Sequence, residues 1–305
     1  DDCSSRGLGD VYKRQLAKLS DYNMLTKPVI TLTVLISMLM GFLMASIVNM
    51  GFIDWVLMIH AIIGTYFIAA GTAAHNQFLE RDLDGLMNRT KTRPLPTQRI
   101  SAHEGKLFSV SLIIIGLGYL IWFTHPIAAA VSLSTTLIYL VLYTPMKQKT
   151  AFNIIIGAIP GGLPPVGGWA AVTGNINDLG MWILFAIVFF WQIPHVMAIA
   201  WVCKEDYSEA GFKMLPKGDH NGQKTSIYAL FCIIILFAVN YSLYALGLAH
   251  TLFLISSISI GLFFLFFGLH FIQARSYKTA RALMYASIAY LPLIWLALSI
   301  DILIN

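Results

Sequence analysis

WVLMIHAIIGTYFIAAGTAA, residues 55–74, contains no Asp, Glu, Lys or Arg, and the polar stretch HNQFLERDLDGLMNRTKTRPLP, residues 75–96, follows it directly. An apolar run of about 20 residues is what a helix needs to cross the hydrocarbon core of a bilayer. Comparable runs lie at Val29–Asn49, Leu107–Thr124, Pro126–Thr144, Phe152–Val172, Met181–Val202, Ser226–Leu248, Thr251–Phe271 and Ala282–Leu303. Over 305 residues the chain is 57% hydrophobic and only 11% charged, with a mean hydropathy of +0.72. Soluble domains carry about 25% charged residues, so a soluble globule, a disordered chain and a coiled coil are excluded. Outer-membrane barrels read as alternating segments of roughly 10 residues, and none is found. The expected fold is all-α: a polytopic membrane protein with nine transmembrane helices.

The connections separate by charge. All 20 Lys and Arg residues fall in the N-terminus and in residues 75–106, 145–151, 203–225 and 272–281. The remaining connections, 50–54, 124–125, 173–180 and 249–250, and the C-terminus hold none. Basic loops mark the cytoplasmic side, so the N-terminus and the long loops are expected to be cytoplasmic. The net charge of +5 follows from this asymmetry, and no nucleic-acid partner is expected. Cys3, Cys203 and Cys232 show neither disulfide nor zinc-type spacing. Residues 1–15 are polar and unpatterned; Asp10 to Gln15 resembles a translated adaptor sequence. They are read as a non-native or disordered tail ahead of one domain, 16–305, and no cleavable signal peptide is expected.

Two polar clusters fall on the expected cytoplasmic edge. Asn76, Glu80 and Asp84 stand at i, i+4, i+8, within an arc of about 80° on a helix. Three oxygen ligands on one face suit a hard cation such as Mg²⁺, which bridges readily to phosphate. Arg89, Lys91 and Arg93 follow at once; metal together with Arg or Lys is how diphosphate charge is commonly met. The same spacing is also compatible with a solvated, salt-bridged helix end. In the sixth run, WQIPHVMAIAWVCKEDYSEAGFKMLP (191–216), Gln192 and His195 interrupt an apolar span. Ionisable residues there are rare and often functional, although a packed histidine is the plainer alternative. His195 and Asp206 share a face if the helix runs on, since eleven residues turn about 1100°. Lys204 lies near them, and the loop after the fourth run offers Tyr143, Lys147, Lys149 and Asn153. In the fifth run, PGGLPPVGG (160–168) is expected to bend or break the helix.

The pattern Asn76-x3-Glu80-x3-Asp84, with Arg89-Thr90 and Arg93-Pro94-Leu95, resembles the UbiA-type intramembrane prenyltransferases. Within them NQFLERDLDGLMNRT, NIIIGAIPGGLPPVGGW and the 191–216 stretch are most similar to the heme O synthase (protoheme IX farnesyltransferase) branch. The resemblance covers roughly residues 18–305. Gln77 and Glu80 depart from the commonest superfamily pattern, and Gln148 stands where Arg is expected. The resemblance implies nine helices bundled around a central cavity beneath cytoplasmic cap loops. It also implies a Mg²⁺-dependent transfer of farnesyl from farnesyl diphosphate to a vinyl group of heme B. It assigns Asn76, Glu80, Asp84 and Asp206 to catalysis and metal, and Arg89, Arg93, Lys147 and Lys204 to diphosphate. His195, Tyr143, Tyr207 and Asn153 fall to the acceptor side. Expected surroundings are the lipid bilayer of a bacterial inner membrane, with heme A synthase or terminal oxidase assembly as partners. Two alternatives remain: a quinone precursor or other ring as acceptor, and a transporter. Transporter sites tend to lie at the bilayer midplane, whereas these acids sit at an edge beside arginines.

Single cysteines at Asn49 and Asn175, in a background lacking Cys3, Cys203 and Cys232, should react with a membrane-impermeant thiol reagent on intact cells. Labelling only after lysis would invert the topology.

Overall fold

The computed structural model describes residues 15–305. The reading of residues 1–15 as a tail therefore lies outside the described residues, except for Gln15, where a helix over residues 15–25 is already under way. Among the described residues nine helices are long and apolar enough to cross a membrane. They are Pro28–Met50, Trp55–Asp84, Ala102–Phe123, Pro126–Met146, Asn153–Thr173, Leu179–Val202, Gln223–Ala245, Thr251–Ala274 and Tyr277–Ile304, called here the first to ninth spans.

Local chemistry sets many of the span ends. Pro28 and Pro126 occupy first-turn positions, where the missing N–H costs nothing. The third span opens on a capping box, Ser101 with Glu104, and the ninth on Ser276 with Thr279. Asp54 accepts from the Val56 and Leu57 amides at the head of the second span. Buried Asp219 does the same for the seventh, accepting from the Lys224 and Thr225 amides and the Thr225 hydroxyl. Burial works against its charge, but these Thr225 and Lys224 donors outweigh it and hold the carboxyl below its usual range. On the opposite face Asp301, fully buried, accepts from the His250 and Phe253 amides at 2.6 and 2.9 Å and thereby caps the eighth span.

The fifth span, expected to bend or break at 160–168, does not break. Pro160, Pro164 and Pro165 lie inside one uninterrupted helix. Each proline deprives the carbonyl four residues earlier of its donor, so this backbone has to be shielded from lipid, and the span is largely buried. Small residues then let the first span approach it closely. A Cβ at Gly168 would stand 1.9 Å from the Met38 carbonyl oxygen, and one at Gly41 would stand 1.9 Å from that of Pro165. The Gly/Pro-rich stretch is a packing surface rather than a break.

The fourth span changes character instead. After Leu137 its backbone becomes a π-helix over Ile138–Tyr143 and returns to α-helix at Thr144–Met146. Pro145 cannot donate to the residue 141 carbonyl, and Thr144 Oγ1 donates to the Tyr139 carbonyl at 2.8 Å. π-Turns of this kind are frequent at functional sites.

Gly168→Ala should lower the melting temperature of the detergent-solubilised protein by several degrees, because backbone faces backbone and the core must shift (about 1–3 kcal/mol for overpacking). Gly118, where a Cβ meets nothing within 4 Å, is the control: Gly118→Ala should be neutral or slightly stabilising. Equal melting points for both variants would refute the close-packing account.

Candidate functional site

The second span continues as helix to Asp84, past its apolar part, and carries Asn76, Glu80 and Asp84 on one buried face. Each of the three meets a cation, and each cation comes from a different part of the chain. Lys27 Nζ donates to Asn76 Oδ1 at 2.8 Å. Lys147 Nζ donates to Glu80 Oε1 at 2.7 Å. Arg93 Nη1 donates to Asp84 Oδ2 at 2.7 Å. The Glu80–Lys147 pair is nearly closed to solvent, its side chains 8% and 11% exposed. A buried acid left without such a partner would be strongly destabilising.

The groups behind this ladder fix its geometry. Asn76 Nδ2 donates to Thr144 Oγ1 at 3.2 Å, so the amide is gripped at both ends and its oxygen faces Lys27. The π-turn and Pro145 thus bear on the site: they set where Thr144 and Lys147 emerge from the fourth span. Lys147 also lies 4.7 Å above the Tyr143 ring. Burial opposes its charge, but Tyr143 and the Glu80 carboxylate outweigh burial and hold the ammonium above the ordinary lysine range. Thr90, buried, donates to the Asp84 carbonyl and pins the turn that returns Arg93 to Asp84.

Lys27 was not singled out in the sequence. It stands immediately before Pro28 and has a left-handed backbone, φ 47° and ψ 64°, a strained conformation for a non-glycine residue. Surrounding contacts maintain it. Gln77 Nε2 donates to the Met24 and Leu25 carbonyls, and the helix over 15–25 is tied down by Arg99 to Asp21 and Lys18 to Glu104. Burial first, and then the neighbouring Arg93, push the Lys27 ammonium down to about 7. Three cations against two carboxylates leave the cluster short of negative charge. The available signal was position: Lys27 is the sole basic residue between Lys18 and Arg81, at the mouth of a span.

The second cluster reaches the first through the 85–100 loop. The sixth span ends at Val202, Cys203 leaves helical geometry, and a short helix, Lys204–Glu209, begins afresh. The condition for His195 and Asp206 to share a helical face is therefore not met. Asp206 instead accepts from the Asn88 and Arg89 amides at 3.4 and 3.3 Å. The Arg89 guanidinium lies 5.8 Å over Tyr207, whose phenol is pushed up by burial. Lys204 is exposed and lies 4.7 Å over the Trp201 ring, with no hydrogen bond to the acids. Asn153 is fully buried; its amide donates to the Thr150 and Lys213 carbonyls and ties two loops together. His195 is half-buried within the sixth span.

The donor set suits Mg²⁺. This ion typically takes one or two carboxylates and completes its shell with water and substrate phosphate, and Glu80 and Asp84 with the Asn76 amide offer that set on one helix face. No group of three or more His, Cys, Asp or Glu able to hold a metal occurs among the described residues, so ligands from outside the protein would have to complete the coordination.

Known proteins match this picture. The UbiA prenyltransferase family matches residues 34–294. The protoheme IX farnesyltransferase of Solibacter usitatus is 39% identical over 289 residues, covering 93% of this chain and 99% of that protein. That of Opitutus terrae is 38% identical over 286 residues, covering 93% and 95%. Among solved structures, a digeranylgeranylglyceryl phosphate synthase superposes with a TM-score of 0.77 at 19% identity, covering 95% of this chain and 100% of that one. A UbiA homolog from Archaeoglobus fulgidus bound to GPP and Mg²⁺ gives 0.63 at 15% identity, covering 92% and 99%; at these identities the likeness is one of fold. The nine apolar helices belong to a multi-pass membrane protein, and the extent of these matches makes the chain a member of the UbiA prenyltransferase family.

Proposed function

We propose that this chain transfers the farnesyl group of farnesyl diphosphate to a vinyl group of heme B, releasing diphosphate and, with one water added, giving heme O. The observation that carries the reading is the interleaved ladder: Asn76, Glu80 and Asp84, each paired with a cation from a separate segment. An acidic face alone repels a diphosphate and a basic face alone cannot hold Mg²⁺; alternating them serves both. The names of relatives 38–39% identical over nearly the whole chain support heme as the acceptor.

In this reading Glu80, Asp84 and Asn76 would hold one Mg²⁺ and Asp206, across the loop, a second, with substrate phosphate and water completing each shell; the bound ions would neutralise diphosphate charge. Lys27, Arg93, Lys147 and Arg89 take the remaining phosphate oxygens. Cleavage of the allylic C–O bond leaves both electrons on the diphosphate oxygen, where these cations stabilise them; preorganised charge of this kind is commonly the largest catalytic term. The Tyr143 and Tyr207 rings present faces that can shield the allylic cation. The electron-rich vinyl carbon attacks it, and water adds to the resulting cation with loss of a proton. Lys204 and Asn153 take no direct part: one faces solvent, the other ties loops together. The positive-inside pattern supports placing the site on the cytoplasmic side of the membrane; in this reading the membrane is a bacterial inner membrane, and heme A synthase or terminal oxidase assembly receives the product.

Asp84→Asn and Asp206→Asn should each abolish most heme O formation while heme binding persists. Their double variant should be little worse than either single, because groups acting as a unit are non-additive. Asp82, whose side chain is 82% exposed, lies about 160° round the helix from Asp84, and Asp82→Asn should be mild. Wild-type rates in both single variants at saturating farnesyl diphosphate would overturn the assignment.

Lys27→Met should raise KM for farnesyl diphosphate by about tenfold, the cost of one lost charge-assisted hydrogen bond of about 1.5 kcal/mol, with little change in heme affinity. An unchanged KM would remove Lys27 from the diphosphate site.

A further inference from the structure

His195 Nδ1 lies 2.7 Å from Ser287 Oγ on the ninth span. The Ser287 hydroxyl hydrogen is directed to the Met284 carbonyl at 2.6 Å. A hydroxyl has one hydrogen, so Ser287 accepts from His195, and Nδ1 is the protonated ring nitrogen. A neutral imidazole has only that one N–H, and a second proton would place an unpaired cation in an apolar span. Nε2 therefore carries a lone pair, and no hydrogen bond among the described residues uses it. The ring is held in place: it stacks on Trp191 at 5.2 Å with 13° between planes, and the Trp191 indole donates to the Ser287 carbonyl at 2.7 Å. A rigid histidine whose Nδ1–H is donated and whose Nε2 is free is the arrangement of a metal-ligating imidazole with its outer-shell partner.

The turn that bears His195 also connects with the polar ladder. Gln192, one turn earlier, donates to the Gly157 carbonyl at 3.3 Å. A Cβ on Gly157 would stand 2.6 Å from the Tyr143 ring, and Tyr143 carries Lys147 over its face. We propose that His195 Nε2 is an axial ligand to the iron of the heme acceptor, fixing the porphyrin so that a vinyl edge reaches the diphosphate end of the site. This rests on the farnesyl-transfer reading above. A lone pair at Nε2 can bind iron but cannot donate to a heme propionate.

The test is heme titration of the purified full chain in detergent, followed by absorption and electron paramagnetic resonance, with iron-free protoporphyrin IX as comparison. The wild type should show a histidine-ligated spectrum and bind heme at least tenfold more tightly than the iron-free ring. His195→Ala should lose both properties, and added imidazole should restore the ligated spectrum. His195→Cys should give a thiolate-type spectrum, and Ser287→Ala should keep histidine ligation with affinity lowered by about tenfold, as for other outer-shell partners. Unchanged farnesyl diphosphate binding in each variant shows that it is folded. A His195→Ala protein that keeps the wild-type spectrum and preference overturns the ligand assignment and leaves the heme reading standing. A wild type that binds neither ring overturns both.

Discussion

A carboxylate at the edge of a membrane span has to be matched by a cation. Glu80 and Asp84 are buried, and their burial is possible because Lys147 and Arg93 reach them at hydrogen-bond distance. Removing one partner from such a pair is typically far more costly than the pair is worth. The requirement spreads outward. To supply Lys147 the fourth span takes its π-turn, to supply Arg93 the 85–100 loop folds back on Thr90, and to bring Lys27 to Asn76 the chain accepts left-handed geometry at one residue. These three irregularities carry charge to one helix face.

The rest of the bundle is regular so that this face can be placed. The first and fifth spans touch backbone to backbone through Gly41 and Gly168, an approach that larger residues forbid. In lipid, helices gain little from apolar burial against one another, and close packing of small residues does that work. Proline in the fifth span is tolerated for the same reason: the carbonyls it frees are covered by neighbouring helices rather than by lipid.

Much of this was legible in the sequence. Hydropathy and the distribution of Lys and Arg gave the span count, and the i, i+4, i+8 spacing placed Asn76, Glu80 and Asp84 on one face because helical geometry is local. What was not legible depends on contacts distant in sequence. Lys27 read as one more basic residue near a membrane edge, and its pairing with Asn76 crosses two spans. Proline and glycine at 160–168 signal a broken helix when taken alone, and become a packing surface only beside the first span. The end of helix at Cys203 has no glycine or proline to announce it. Lys204 looked equal to Lys147 in the sequence, since type and neighbourhood were all that could be weighed; burial and direction separate them.

The ladder also implies an order of assembly. Its pairs join residues 49, 67 and 9 positions apart, and the link from Asp206 to the Arg89 amide spans 117. A chain emerging from the ribosome makes Asp84 and Arg93 almost together, but Glu80 must wait until the fourth span has been inserted before Lys147 exists. Lys27, made first of all, waits for Asn76. Until about two thirds of the chain has been synthesised, the site is open on the side that Asp206 later closes. A nascent chain therefore carries unpaired acid at its membrane edge through several insertion steps, a vulnerable interval that the finished protein no longer shows.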